Sequence, residues 1–369
     1  MADQMHPWQM ELGEYIRQGE PDRAKKAETW KTAIGLQQVD GLEVSDYLVD
    51  TAKMHIEGTI DTRGARERIE SYYEERRERG IIESESEEAD VVSQRIVEIL
   101  GERAFQFSPA GLISIHRRLF EGLFGGAGLV RDYNITKKEW VLNGDTVLYA
   151  PSETILESLD YDFGQEREFS YEGPALESVV RHLAGFISGI WQIHPFCEGN
   201  TRTTAVFLIQ YLGLMGFRVS NDPFEKNSWF FRNALVRANY TNYELGITAT
   251  LQPLVQFLEN VMFGAHHVLR NRELHVDYPG SSIREAQSAS PKCNDCTLDC
   301  TLEQLSVLRE LAMNSRVTQK QLAGLLGVSE RTVKTRTVEL QSKGLLRREG
   351  GRRNGHWVVS ESVLGALGL

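Results

Sequence analysis

The sequence lacks any run of about 18 apolar residues, the length that an ordinary transmembrane helix needs. Its first residues include acids and lack the basic patch and apolar stretch of a secretory signal peptide. It holds only 4 cysteines, which do not form the pattern of a small disulfide-stabilised secreted domain. We therefore expect a cytoplasmic protein with reduced thiols and no membrane segment.

Charge is distributed unevenly along the 369 residues. Residues 301–369 carry 11 Lys and Arg against 6 Asp and Glu, a net charge of +5, whereas the rest carries 30 against 46, a net charge of -16. Such asymmetry points to nucleic acid or an acidic partner for the C-terminal part. It argues against nucleic acid for the remainder.

The apolar pattern predicts a mainly α fold, and the length predicts two or three domains. The division that we predict is an N-terminal helical region at 1–100, a core at 101–270, a polar linker at 271–300 and a separate domain at 301–369. Within the core, helices are expected at about 108–123, 174–193 and 201–217. The last two are apolar enough to lie at the centre of the domain.

Residues 134–150 alternate between apolar and polar side chains around Asn143-Gly144. This pair tolerates the positive φ angles of a two-residue turn, so the segment is predicted to form a β-hairpin. A lone hairpin in a helical protein must rest on another surface to be stable. It could therefore cover a site.

A polar loop begins at His194, between the two apolar helices. Gly199 and Asn200 can turn backbone N–H groups inward at the start of the next helix, where the dipole favours an anion such as phosphate. Arg202 lies in the first turn of that helix, where the dipole disfavours a cation. A bound phosphate would reverse this penalty through a charge-assisted contact.

Two further residues of this loop suit phosphoryl or nucleotidyl transfer. Glu198 offers a hard oxygen ligand for a Mg²⁺ that is shared with substrate phosphates. His194 titrates near neutral pH and could take the proton of an attacking hydroxyl. The alternative is that His194 and Pro195 merely end a helix, and that Arg202 pairs with an acid.

The segment HPFCEGNTR, residues 194–202, resembles the active-site loop of the Fic family, HPFx(D/E)GNGRxxR. The matching positions are His194, Pro195, Phe196, Glu198, Gly199, Asn200 and Arg202. The resemblance covers about residues 30–270. It implies a Fic-type helical domain with a β-hairpin flap, here residues 134–150, that precedes the loop.

The resemblance implies an enzyme, a protein adenylyltransferase that moves AMP or another nucleotidyl group from a nucleoside triphosphate to a hydroxyl of a target protein or of itself. His194 would be the general base, Phe196 would anchor the loop in the core, and Glu198 would bind Mg²⁺. The phosphate ligands would be Gly199, Asn200, Thr201 and Arg202. ATP is the expected donor, and the target would dock on the flap by strand addition.

Relatives whose loop reads differently at the Gly-Asn positions phosphorylate their targets instead. Gly199 and Asn200 favour nucleotidyl transfer here. Nothing in the loop recognises a base, so other nucleotides stay open. A homodimer is expected only from the resemblance, because members of the family commonly form one.

Two positions of the loop depart from the family pattern. Thr201 stands where Gly is usual, and Ala205 stands where a second Arg is usual. In many relatives that Arg holds the γ-phosphate or pairs with a glutamate on an inhibitory helix of the form (S/T)xxxE(G/N). The nearest match here lies near residues 50–58, where Glu57 fits and Lys53 replaces the Ser or Thr. Glu57 is thus a candidate regulatory residue, and the alternative is an ordinary surface glutamate.

Residues 317–340 have the spacing of a helix-turn-helix, with a break at Gly327 and an N-cap at Ser329. Two strand-like runs around a basic, Gly-rich turn follow, as in a small winged-helix (α+β) domain. The residues expected to reach DNA are Arg331, Thr332, Lys334, Arg336, Arg352 and Arg353. Winged helices also dock proteins, so both duplex DNA and a protein partner stay open for residues 301–369.

Cys293, Cys296 and Cys300 combine a C-x₂-C spacing with a third thiol. They could hold a metal if His275, His356 or a water supplied the fourth ligand. The alternative is a linker without a metal.

Two functions of different classes therefore compete. One is adenylyl transfer with Mg²⁺ and ATP, which the retained His194, Glu198 and Arg202 favour. The other is a DNA-binding transcription regulator with a catalytically inactive Fic-like body, which Thr201 and Ala205 favour.

Overall fold

The computed structural model describes residues 6–81, 84–102, 104–217, 222–278, 298–350 and 355–367. In this part of the chain the fold is mainly helical, with a two-stranded antiparallel sheet near the C-terminus. The predicted fold class is confirmed. Among the described residues, no helix has both the length and the apolar character that crossing a bilayer requires.

Five helices form the N-terminal part of the chain. They are α1 (Pro7–Arg17), α2 (Pro21–Gly35), α3 (Asp46–Glu57), α4 (Thr62–Glu78) and α5 (Ser84–Gly101), with a 3-10 turn at Leu36–Asp40 after α2. Ser45 and Asp61 are the N-caps of α3 and α4, since their side chains accept a backbone N–H from the first helical turn. The fully buried Trp30 donates its indole N–H to His55 Nδ1 and so links α2 to α3.

Seven helices follow, among the residues described, before the C-terminal module. They are α6 (Pro109–Phe120), α7 (Ile155–Glu168), α8 (Leu176–Ile193), α9 (Asn200–Leu214), α10 (Asp222–Ala238), α11 (Gln252–Phe263) and α12 (Asn271–Leu274). Aromatic side chains from α7, α8 and α9 pack together, with Phe163 5.5 Å from both Phe186 and Phe207 between ring centroids. Because α8 and α9 are both largely buried, the loop between them is held at both ends in the protein interior.

The segment 134–150, here called the flap, differs from the predicted hairpin. It contains no β-strand and instead has a 3-10 turn at Trp140–Leu142. Asn143 and Gly144 do adopt the expected positive φ angles, 57° and 87°. The N–H of Lys137 donates to the side chain of Thr146, so it is not available for a regular ladder of backbone bonds.

The C-terminal module is a winged helix-turn-helix. Its elements are α13 (Leu302–Met313), α14 (Gln319–Leu326), α15 (Glu330–Ser342), β1 (Leu346–Glu349), β2 (His356–Val359) and α16 (Glu361–Leu367). Gly327 ends α14 with φ 66°, and the Ser329 side chain caps α15, as predicted. β1 and β2 pair antiparallel with Leu346 opposite Val359, which gives the predicted wing.

This module contacts the preceding helices directly. The N–H of Leu176, the first residue of α8, donates to the carbonyl of Cys300 over 3.1 Å. Arg309 Nη1 on α13 donates to the carbonyl of Gly216 over 2.8 Å. The start of α8 therefore meets the C-terminal module, while the other end of α8 leads into the polar loop.

Candidate active site

The loop between α8 and α9 begins and ends with left-handed residues. His194 has φ 51° and ψ 60° and stops α8, while Gly199 has φ 72° and precedes α9. A Cβ at position 199 would lie 2.3 Å from the Phe120 ring, so the position needs glycine for space as well as for backbone freedom.

His194 has the form that a general base requires. Its Nδ1 lies 3.3 Å from the Trp191 carbonyl, which can only accept, so we assign the ring proton to Nδ1. Nε2 then keeps a free lone pair, and it is buried without a hydrogen-bond partner among the described residues. Burial lowers the pKa of His194 well below its ordinary value, and the nearby charge of Lys137 lowers this pKa further. The titration near neutral pH that was expected from the sequence is therefore wrong for this closed arrangement, and His194 is neutral.

Asn200 braces the loop from inside. Its Oδ1 accepts the N–H of Phe196 over 3.0 Å, and its Nδ2 donates to the carbonyl of the same residue over 2.8 Å. Phe196 is buried as predicted and stacks on His116, with ring centroids 3.7 Å apart. The Asn200 side chain thus shapes the loop, and only its backbone N–H is left for a ligand.

His116 on α6 is a second histidine of the site, which no motif in the sequence indicates. Its Nδ1 accepts the N–H of Gly128 over 2.9 Å, so its Nε2 carries the proton and donates to the Glu198 carbonyl over 3.0 Å. Burial lowers the pKa of His116 to about 4. A neutral His116 therefore fixes the backbone of the loop at Glu198.

The start of α9 presents an anion-binding cradle. Asn200, Thr201 and Arg202 are its first three residues, and their N–H groups have no partner within the helix. Together with the positive end of the helix dipole they favour a phosphate. The sequence-predicted cradle is thus formed by backbone groups.

Glu198 offers one carboxylate at the edge of this cradle. Its side chain is 65% exposed, and Oε2 lies 3.3 Å from Nζ of the flap residue Lys137. Among the described residues there is no cluster of three His, Cys, Asp or Glu side chains that would hold a metal by themselves. One exposed carboxylate beside free N–H groups fits a Mg²⁺ that takes its other ligands from substrate phosphates and water.

Arg202 points away from the cradle into the N-terminal helices. The residue is 2% exposed, and its guanidinium contacts Gln37 Oε1 at 3.0 Å and Glu88 Oε1 at 2.6 Å. Its Nε lies 2.8 Å from Asp40 Oδ2, an ion pair without hydrogen-bond geometry. The pairing of Arg202 with acids is the alternative raised from the sequence. A direct contact between its guanidinium and a phosphate would require one of these partners to leave.

The two departures from the family loop have structural counterparts. Thr201 is buried, and its Oγ1 accepts the indole N–H of Trp191 over 3.0 Å. Ala205 is fully buried in α9, where it packs in the hydrophobic core.

Glu57 lies at the last turn of α3, and its carboxylate accepts a hydrogen bond from Tyr15 of α1. Lys53, one turn earlier, pairs with Glu11 of α1. The acids that meet Arg202 are Asp40 and Glu88, so the structure does not bring Glu57 to this arginine. A regulatory role of Glu57 stays a prediction.

The flap covers His194 through buried polar contacts. The Tyr149 ring centroid lies 4.3 Å from that of His194, and the Tyr149 hydroxyl donates to Glu139 Oε1 over 3.2 Å. Glu139 is fully buried and pairs with Arg232 of α10 at 2.9 Å. Burial raises the pKa of Glu139, while the charge of Arg232 opposes that shift.

The predicted DNA-contacting residues lie on α15 where the structure describes them. Arg331 and Lys334 are exposed, Arg336 is half-buried, and none of the three has an ion-pair partner among the described residues. The Thr332 hydroxyl contacts Ser329 Oγ at 2.8 Å. Arg352 and Arg353 lie outside the described residues.

The cysteine cluster is only partly within the described chain. Cys293 and Cys296 lie outside it. Cys300 is buried in the hydrophobic core, and burial raises the pKa of its thiol to about 12. His275 contacts the Trp140 ring, and His356 lies 3.7 Å from Glu349, so neither faces Cys300 through a contact that the structure describes.

Family models match two parts of the chain. Residues 106–212 match the Fic/DOC family, and residues 304–347 match the winged helix-turn-helix DNA-binding family. No curated protein gives a match. Among solved structures, this chain is similar to the N-terminal Fic domain of a Bartonella effector protein (Bep) from Bartonella sp. AR 15-3, which is described as a substrate of the VirB T4SS. The two sequences are 19% identical, and the TM-score is 0.39. The match covers 48% of this chain and 81% of that chain. On the two family matches, the chain carries a Fic/DOC family domain followed by a winged helix-turn-helix domain.

Proposed function

We propose that this chain is a protein adenylyltransferase that moves AMP from ATP to a hydroxyl side chain of a target protein or of itself. The observation that carries the proposal is the free, buried Nε2 of His194, six residues before the unpaired N–H groups at the start of α9. A base and an anion cradle on one loop are the minimum that such a transfer needs.

The donor phosphates would bind the backbone N–H groups of Asn200, Thr201 and Arg202, with Gly199 allowing their close approach. The Arg202 guanidinium, paired with Asp40 and Glu88, would hold the first turn of α9 against the N-terminal part of the chain. Glu198 would hold Mg²⁺, which when bound neutralises charge on the phosphates. Lys137 would then exchange its contact with Glu198 for one with the phosphates.

In the transfer step the oxygen of the target hydroxyl attacks the α-phosphorus of ATP in line. The new oxygen–phosphorus bond forms as the bond to the β-phosphate oxygen breaks, and pyrophosphate leaves with the electron pair of that bond. The hydroxyl proton moves to Nε2 of His194. The other ring proton stays on Nδ1, which donates to the Trp191 carbonyl and so keeps the ring oriented.

The target segment would lie along the flap. All backbone–backbone hydrogen bonds within the flap lie between Glu139 and Asp145, so the backbone groups on both sides of this turn could pair with an extended peptide. Pairing through backbone groups depends little on the target sequence. Transfer of the γ-phosphate, a kinase activity, is the competing outcome for the same loop.

A second function, binding of duplex DNA by residues 301–369, is favoured by the exposed bases of α15. Arg331 and Lys334 project from the helix that a helix-turn-helix inserts into the major groove. Their charges are not neutralised by acids of the described chain. A cytoplasmic enzyme that also binds DNA accounts for the acidic body and the basic C-terminal module together.

Two histidines with nearly equal positive φ angles allow a matched test of the transferase. His194 and His266 have φ 51° and 52°, and asparagine tolerates this region better than other residues. With Mg²⁺ and ATP labelled at the α-phosphate, His194→Asn should abolish label transfer, whereas the exposed His266→Asn should retain it. Equal labelling by both variants would remove His194 from the reaction.

A further inference from the structure

Arg131 is a buried arginine that contacts both the flap and the loop of His194. The residue is 4% exposed. Its side chain donates to carbonyls at Tyr133 (2.7 Å), Ala150 (2.6 Å), His194 (2.8 Å) and Ile193 (3.2 Å). Its own N–H donates to the carbonyl of Pro195 over 2.9 Å. One side chain thus joins Tyr133, just before the flap, and Ala150, the last residue of the flap, to the end of α8.

We propose that Arg131 is a positioning residue for the transfer reaction, which holds the flap and the His194 backbone in one fixed arrangement. The proposal rests on the function proposed above and adds a residue outside the loop 194–202. Arg131 has no carboxylate partner among the described residues, and its guanidinium donates to backbone oxygens instead of forming an ion pair.

The contacts of Arg131 explain why an arginine is needed. The last carbonyls of α8 lack helical partners, and burial makes an unsatisfied carbonyl costly. A planar guanidinium carries five N–H donors in a fixed fork and can serve four oxygens on two chain segments. A lysine carries its three donors on one nitrogen and cannot span them.

The contacts also explain how Arg131 would affect the reaction. Tyr149, which lies against the His194 ring, directly precedes Ala150, one of the residues that Arg131 holds. The His194 carbonyl is itself a partner of Arg131. Loss of these bonds would free the flap end and the imidazole together. A displacement of about 1 Å of a reacting group can cost about 10²-fold in rate.

The test compares Arg131→Lys with Arg95→Lys. Arg95, on α5, also donates to carbonyls, those of Leu119 and Glu121 at the end of α6, but it makes none of the contacts of Arg131. Two measurements are made on the full chain. The first is the rate of label transfer from α-labelled ATP as a function of ATP concentration, and the second is amide hydrogen exchange along the sequence.

For Arg131→Lys we expect the maximal rate to fall by about 10²-fold. The ATP concentration at half-maximal rate should change by less than about threefold, because no Arg131 contact belongs to the cradle of α9. Exchange should rise at 134–150 and at Ile193 and His194, and stay unchanged elsewhere. Arg95→Lys should keep both the rate and the exchange of these segments.

A maximal rate within about twofold of the wild type would overturn the proposal, as would an exchange increase spread over the whole chain. Equal losses in Arg131→Lys and Arg95→Lys would also overturn it, since they would mean a general effect on folding. If the wild type transfers no label, the proposed function fails. The exchange measurement then still decides whether Arg131 fastens the flap to the His194 loop.

Discussion

The indole N–H of Trp191 donates to the hydroxyl of Thr201 over 3.0 Å and so joins the last turn of α8 to the first turn of α9 across the loop of His194. The family loop has glycine at this position, which could not make the bond. The threonine therefore gives this chain a tie between its two central helices. The substitution is compatible with the cradle because the N–H of Thr201, in the first turn of α9, has no partner within the helix.

Thr201→Val should destabilise the protein by about 1–3 kcal/mol, because it keeps the shape but leaves the buried Trp191 N–H without an acceptor. Thr201→Ser keeps the hydroxyl and is the control, with a loss of less than about 1.5 kcal/mol. Urea unfolding followed by tryptophan fluorescence measures both. Equal stability of the Val and Ser variants would show that the bond contributes nothing.

Glu88→Ala should destabilise the protein by about 1–3 kcal/mol, since it removes one charged partner of the buried Arg202 guanidinium. Glu87→Ala is the control, because Glu87 lies 3.7 Å from an exposed Arg77. Its loss should change the free energy of unfolding by about 0.5 kcal/mol or less. Thermal unfolding of both variants tests this. Tighter ATP binding by Glu88→Ala without loss of stability would instead mean that Glu88 competes with phosphate for Arg202.

Stability should fall as the pH is lowered from about 6.5 toward 4, with a contribution from His116. Its folded pKa of about 4 lies below the ordinary 6.5, so between these values the unfolded chain binds more protons. The contribution of His116 to the free energy of unfolding is complete above pH 6.5, and about 2–3 kcal/mol of it is lost at pH about 4.5.

Burial also lowers the pKa of His55 to about 4, so His55 should add a similar dependence of the free energy of unfolding on pH. Denaturant unfolding across this pH range measures the sum. His116→Gln should lose its own share of the pH dependence and keep that of His55. A variant with the full wild-type slope would contradict the assigned neutral state of His116.

Arg331→Ala and Lys334→Ala should each weaken binding of duplex DNA. Each should also reduce the slope of the logarithm of the binding constant against the logarithm of salt concentration by about one. Lys226→Ala, which removes an exposed lysine on α10 that pairs with Asp222, is the control and should leave the salt dependence unchanged. Fluorescence anisotropy of labelled DNA at several salt concentrations measures this. Absence of binding at low salt would favour protein docking by this module.

Much of the fold followed from the sequence because its signals are local. The apolar runs on both sides of His194 predicted α8 and α9, and the Gly327 break with the Ser329 cap predicted α14 and α15. The flap was predicted as a hairpin with strands, which is wrong for the strands. The alternation in 134–150 also could not reveal the burial of Glu139 against Arg232, because this is a tertiary contact.

The site was predictable only in part for the same reason. The loop residues could be read from their spacing, and their roles stay predictions. The partners of Arg202 come from Asp40 and Glu88, far away in the sequence, and those of His116 and Arg131 are backbone groups. A side chain that serves backbone carbonyls leaves no complementary charge or motif in the sequence. The domain boundaries at 100 and 270 also stay predictions.

The most direct test of the central claim uses ATP that carries its label at either the α- or the γ-phosphate, with Mg²⁺, the full chain and a cell lysate. We expect label on protein from α-labelled ATP, none from γ-labelled ATP, and loss of the α-label in His194→Asn but not in His266→Asn. Label from γ-labelled ATP alone would mean a kinase. Label from neither, with other nucleotides also tested, would contradict the account and favour a DNA-binding regulator with an inactive Fic-like body.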